Sequence, residues 1–268
     1  MYRFLFRPAW LAFHLIVVAG VLLMAILGVW QLERLSERKD FNRTVRERSQ
    51  TAPIDFATLL DDLETGVLDP TTAEWLPVTT SGTFLPDQVL EFNNSQGGRA
   101  GDNVVAALIT DDGATVIVNR GFIPLGFDTP EAPQVGVTIV GFVRLSEVRD
   151  LGGLTDADDG EPLTEIRRID IPRLAEQLPG DVAPIFIQLT RAVPEIQVGD
   201  PEPVVFPVLD NGPHLSYAIQ WFVFSLCVAI GWVLAVRRSL TSRRKSANGG
   251  AAVEFSPESR EETLADFR

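Results

Sequence analysis

Cysteine is almost missing from this sequence: Cys227 stands alone among 268 residues. A lone cysteine forms no intrachain disulfide and builds no cysteine-rich zinc or iron–sulfur site. Histidine is nearly as scarce. His14 and His214 are the only two, and the long polar block between them has none. That removes the usual histidine-based acid–base and triad chemistry from the block. No G-x-S-x-G, H-E-x-x-H, Walker A or G-x-G-x-x-G motif occurs. Carboxylates are plentiful, but no spacing singles out a working pair, so the chain reads as a protein without catalysis. Basic charge is also short where it would matter for phosphates. Residues 49–213 carry 8 basic and 27 acidic side chains, in a chain of net charge −13. Nucleic acid is therefore excluded as a partner.

What the sequence does have is two long apolar runs. Pro8 to Val29 contains His14 as its only ionisable residue, and Leu215 to Val236 contains no charge. A bilayer span needs about 20 apolar residues, which predicts transmembrane helices at 10–30 and 214–236. The first run is too long for a signal peptide and lacks a small-x-small site after Gly28, so it reads as a retained anchor. Trp10 and Trp30 flank one run, and Tyr217, Trp221 and Trp232 mark the other, as interfacial aromatics do. Two spans put both termini on one side. No Lys or Arg lies between Arg191 and Arg237, and five follow from Arg237 to Lys245. That bias predicts cytoplasmic ends, 1–9 and 237–268, and an extracytoplasmic block 31–213.

Within the block, Gln31 to Gln50 has no Pro or Gly and is expected to continue the first span as a polar helix. "IDFATLLDDLE" and "IDIPRLAEQLP" suggest short helices. From Trp75 the pattern becomes short strands: "WLPVTTSGTF", "QVLEFNN", "NVVAALIT", "TVIVNRGFIP", "VTIVGFVRL" and "APIFIQLTRA". Asp111–Gly113 reads as a hairpin turn. The acidic loop Leu151 to Pro162 fails the EF-hand spacing and reads as a solvated loop. The expectation is a mostly antiparallel β domain, barrel- or sandwich-like with a few short helices, flanked by two transmembrane α-helices. The last 23 residues are polar enough to be disordered.

Two stretches draw attention as candidate sites. In "GVWQLERLSERK", Gly28 permits close approach of a neighbouring helix. Trp30 sits at headgroup level, and Gln31, Arg34 and Arg38 rise from it at helical spacing. In "NGPHLSYAIQWFVFSLC", His214, Tyr217, Ala218, Trp221 and Ser225 fall on one face of the helix that Pro213 opens. The helix N-terminus disfavours positive charge on His214, and a neutral imidazole can bind a metal. The pattern leaves two readings open, a ligand or an interfacial hydrogen-bonding residue. At 1.5 Å per residue the two histidines sit roughly 25 Å apart along the membrane normal. One metal ion cannot reach both, so His14 reads as a packing or hydrogen-bonding residue.

These stretches also carry a resemblance. Gly28, Trp30, Gln31, Arg34 and Arg38 follow G-x-W-Q-x-x-R-x-x-x-K, with Arg at the last place. "VIVNRGFIP", containing Asn119, Arg120 and Gly121, follows N-R-G-W-[IV]-P, with Phe122 at the aromatic position. "NGPHLSYAIQWFVFSL" follows H-L-x-Y-A-x-Q-W-F. In this order between two spans, the motifs make the chain resemble the Surfeit locus protein 1 family, assembly factors of haem–copper cytochrome c oxidase. The loop "FNNSQGGRAGDNVVAALIT" departs from the family's R-x-x-x-G-x-x-V-x-T-P-L form. The resemblance implies supply or stabilisation of haem a during maturation of oxidase subunit I. The alternative role is a membrane scaffold for subunit I that binds no haem. It implies an axial iron ligand at His214, with Tyr217, Ala218 and Trp221 packing the macrocycle and Gln31, Arg34 and Arg38 meeting propionates. Asn119, Arg120 and Gly121 would hold the domain or a partner. Haem a synthase is a further implied partner. Lack of a transit peptide or C-terminal extension implies a bacterial cytoplasmic membrane.

Overall fold

The computed structural model describes residues 3–147, 162–195 and 199–250. The chain divides into two units, residues 1–40 with 210–268, and residues 41–209. The loop Leu151–Gly160 lies outside the described residues.

The first unit is a helix pair. Helix α1 runs Pro8–Ser49, after a 3-10 turn at Arg3–Phe6, and helix α5 runs His214–Gly250. Both are long and apolar enough to cross a membrane, with mean hydropathy 2.6 and 2.1 over their spanning windows. The outward apolar side chains, such as Leu15, Ile16, Leu226 and Leu234, are more than half exposed. That surface suits lipid, because helices satisfy their own backbone polar groups without water. Helix α5 continues to Gly250, past the point where the sequence reading ends its order. The continuation, Ser246–Gly250, is little more than one further turn of the helix.

The second unit is one mixed sheet of seven strands, ordered β1-β2-β3-β4-β7-β5, with β6 beside β2. The strands are β1 Ile54–Asp55, β2 Pro77–Gln96, β3 Arg99–Thr110, β4 Thr115–Pro124, β5 Val137–Leu145, β6 Glu165–Ile166 and β7 Val182–Val193. Short helices α2 (Phe56–Glu64), α3 (Pro70–Ala73) and α4 (Ile171–Ala175) are capped by Asp55, Asp69 and Asp170. The pairs β2–β3, β3–β4, β5–β7 and β2–β5 are antiparallel, while β4–β7 is parallel. The expected mostly antiparallel β domain with a few short helices is found, as a single mixed sheet in which β5, last in the order, also pairs with β2. Two expected strands, "WLPVTTSGTF" and "QVLEFNN", are one. Pro86 falls at a register shift between Phe84 and Gln88, where the ladder needs no N–H from it. The resulting strand is long enough for two neighbours: Pro77–Gly82 pairs with β5, and Gly82–Gln96 with β3.

Alternation places side chains on two cores. Leu108, Val116, Val118, Ile185 and Ile187 join Phe56, Leu59 and Ile139 on one side. Val105, Ile117 and Phe186, one residue out of step, join Ile166, Ile169 and Leu174 on the other. Burial on both faces explains why "TVIVNRGFI" reads as a continuous apolar run. The last turns of α1 belong to this unit. Val45 is fully buried, and Arg48 donates to the carbonyls of Thr71 and Glu74 at 2.8 and 3.0 Å. Asn42, part of an N-x-T sequon, is only 4 % exposed, which closes it to glycosylation in the fold.

Candidate functional site

The α1–α5 seam runs antiparallel from end to end. Trp232 Nε1 donates to His14 Nδ1 at 2.8 Å. Ser225 Oγ donates to the Val21 carbonyl at 3.3 Å. A Cβ on Gly28 would lie 2.8 Å from the Phe222 ring. At the far end His214 Nδ1 meets Gln31 Oε1 at 2.9 Å. His14, Val21, Gly28 and Leu35 recur every seven residues on α1, as do Ala218, Ser225 and Trp232 on α5. A seven-residue repeat keeps one face toward a partner helix, and small residues let the backbones approach.

The turn before α5 builds the His214 end. Gly212 adopts φ +61, and its N–H donates to Asp210 Oδ1 at 3.2 Å. Tyr217 N–H then closes on the Pro213 carbonyl at 3.2 Å. Arg38 Nε donates to the Asp210 carbonyl at 3.1 Å, which ties α1 to this turn. Arg34 stays with its own helix, paired to Glu37 at 2.7 Å and stacked over Trp30 at 5.8 Å.

The residues read as one face are divided. Ala218 is 1 % exposed and Tyr217 is 47 % exposed, so the first lies in the seam and the second outside it. Trp221 is half-buried, edge-on to Phe224 at 6.4 Å. The hydroxyl of Ser225 serves the helix contact. The sequence reading missed Phe222, Trp232 and Asp210. The heptad across both spans carries the signal for Trp232, and Gly28 itself implies a bulky partner such as Phe222. Nothing local marks Asp210.

The N-R-G motif lies in the sheet unit. Val104 pairs with Gly121 and Val105 with Asn119, so Arg120 is the extra residue of a β-bulge. Asn119 Oδ1 accepts from Gly121 N at 3.1 Å, and Gly121 adopts φ +138 against the Glu202 carbonyl, where a side chain would clash. The bulge turns Arg120 inward, 4 % exposed. Its guanidinium donates to Gln88 Oε1 and to the Pro130 carbonyl, stands 3.7 Å from Asp200, and faces the Phe84 ring. Burial lowers its pKa from the ordinary arginine value, and Asp200 partly offsets this. A cavity of about 230 Å³ adjoins it, lined by Phe84, Val135, Val137 and Leu189. Among the described residues, no group of three His, Cys, Asp or Glu side chains is placed to hold a metal ion.

Two spanning-length helices joined through a separate mixed-sheet domain define a two-span membrane protein class, with its histidine–glutamine contact at one end of the helix pair. The SURF1 family model matches residues 18–226, and the chain belongs to that family. An uncharacterized SURF1-like protein of Mycobacterium tuberculosis is 32 % identical over 98 % of this chain and 96 % of its own length. Surfeit locus protein 1 of Xenopus tropicalis is 28 % identical over 76 % of this chain and 68 % of its own. The Homo sapiens protein of that name is 26 % identical over 77 % and 71 %.

Proposed function

We propose that this protein is a membrane assembly factor for haem–copper cytochrome c oxidase, holding haem a at the outer end of the α1–α5 pair for delivery to subunit I. The observation that carries the reading is the meeting of Gln31 and His214, from motifs 183 positions apart. It sets an imidazole one turn from Arg34 and two from Arg38 along α1. The donor set suits a haem. His214 Nε2 has no hydrogen-bond partner among the described residues, so its lone pair is available. His214 Nε2 would hold the iron that a bound haem supplies. Arg34 and Arg38 pair with exposed carboxylates. Such pairs are worth little, so both arginines can turn to propionates, which their geometry fits. Tyr217 and Trp221 would cover the macrocycle, while Ala218 keeps the helices close. On this reading the protein carries its cofactor and catalyses nothing. It sits in a bacterial cytoplasmic membrane with both termini inside and the sheet domain outside, and haem a synthase is the donor.

One observation favours a second reading, a scaffold for subunit I that holds no haem. Ala218 is shut in the seam and Tyr217 faces away from it, so the helix offers no single flat platform. The deciding experiment measures oxidase haem content and assembly-factor level in cells carrying His214→Ala or His14→Ala. On the haem reading, His214→Ala lowers haem occupancy with the factor still in the membrane, and His14→Ala leaves it near normal. Normal haem content in His214→Ala moves the conclusion to the scaffold.

A further inference from the structure

The two histidines of the chain are bonded in opposite senses. An indole N–H can only donate, so the 2.8 Å contact from Trp232 Nε1 makes His14 Nδ1 an acceptor. Neutral imidazole has one donor and one acceptor nitrogen. His14 therefore carries its proton on Nε2, and its one lone pair is taken. At the other end, the 2.9 Å contact sets His214 Nδ1 against the amide oxygen of Gln31. An amide oxygen can only accept, so His214 carries its proton on Nδ1 and its lone pair on Nε2.

The surroundings of Nε2 agree with an open nitrogen. Gly212 lies beside it in the left-handed region, φ +61, and a Cβ there would stand 3.3 Å from His214 Cδ2 and 3.4 Å from Nε2. The glycine serves two ends at once: it makes the turn and leaves the ring edge uncovered. Ligating histidines commonly give their other ring N–H to an oxygen acceptor, which fixes the tautomer and raises ligand basicity.

We infer that Gln31 is a positioning residue for His214: its amide oxygen holds the Nδ1–H tautomer and leaves Nε2 as the only imidazole lone pair in the chain open to a Lewis acid. That the Lewis acid is haem iron rests on the proposed function; the tautomer assignment does not. Gln31 thereby leaves the group of propionate contacts and joins the imidazole. His14 is excluded as a ligand by its bond to Trp232, independently of its depth.

With only two histidines, nitrogen-15 NMR of histidine-labelled, detergent-solubilised full-length protein reads both tautomers directly. The expected spectrum has one ring protonated at Nδ1, assigned to His214 by its loss in His214→Ala, and one protonated at Nε2. Gln31→Leu should turn the His214 ring into a tautomer mixture. Gln31→Glu, which keeps an acceptor, should preserve Nδ1–H. The His14 signals, unchanged in both variants, report that the helix pair is intact. Haemin titration of the same samples should show about 10- to 100-fold weaker binding for Gln31→Leu, and a lowered haem midpoint potential for Gln31→Glu as the imidazole becomes a stronger donor. Gly212→Ala should weaken haemin binding with the tautomer unchanged. An Nε2–H tautomer at His214 in the wild type, or Nδ1–H persisting fully in Gln31→Leu, overturns the inference. The expected tautomers with no haemin uptake by the wild type uphold the tautomer assignment and sink the haem reading instead.

Discussion

Gly28 and Phe222 are in contact across the helix pair so closely that a methyl group on Gly28 would stand 2.8 Å from the ring. Phe222 is a bulky knob that needs a residue without a side chain opposite it. We expect Gly28→Val to push the helices apart and cost about 1–3 kcal/mol, the usual range for overpacking. The double variant Gly28→Val/Phe222→Ala should recover most of the loss. Thermal aggregation of the detergent-solubilised protein measures both, and equal instability of single and double variants would disprove the knob.

Orientation has a direct test. On the proposed topology, a reporter active only outside the cytoplasm works when inserted at the exposed Asp128, in the β4–β5 connection. The same reporter fused after Arg238 stays silent. The opposite pattern would place the His214 end of the pair on the cytoplasmic side and remove the basis for delivery at the outer face.

Arg120 is expected to hold the sheet domain together. Arg120→Ala would take the donor from Gln88 Oε1 and one of two donors from the Pro130 carbonyl, which keeps Gln88 Nε2 at 3.0 Å, and would remove the guanidinium 3.7 Å from Asp200. Breaking one side of a buried pair costs 3–5 kcal/mol, and Asp200 is only partly buried, so ~3 kcal/mol is expected. Urea denaturation followed by the near-ultraviolet signal of Trp75 gives the value. A loss below ~1 kcal/mol, the worth of a surface pair, would assign Arg120 to something other than stability.

Glu91 makes a pH prediction. It is buried, and its carboxylate accepts from Asn103 Nδ2 at 2.8 Å. Burial raises its pKa above 4.5, the Asn103 bond opposes this, and Glu147 adds a smaller upward push. The folded state thus binds the proton more tightly than the unfolded state. Its contribution is most favourable at pH below the ordinary value, falls as pH rises from there to the raised value, and is flat above. Glu91→Gln keeps an oxygen for Asn103 without the charge. The variant should match wild type in acid and exceed it in urea midpoint at neutral pH. A lower midpoint at neutral pH would show that the charge is stabilising there.

The helix pair, the hairpin turn at Asp111–Gly113 and the absence of histidine from the sheet domain were all legible in the sequence. Hydropathy over a span, turn chemistry and composition are local properties, carried by neighbouring residues. Capping is local in the same sense, though the sequence reading did not assign it: Asp55 serves the N–H groups of Ala57 and Thr58 close by in the chain. The tertiary structure alone decided the rest. The fusion of two expected strands into β2 depends on a register shift opposite β3, and the parallel β4–β7 pair depends on where the intervening chain packs. Arg120 points inward only because Asn119 and Gly121 pair out of step with β3. The helical face that appeared to unite His214, Tyr217 and Ala218 was divided by the arrival of α1, which buries one side of the helix and leaves the other open. The partner of His214 could be found no other way, because a hydrogen bond needs atoms at 2.9 Å, and only the antiparallel seam brings Gln31 there.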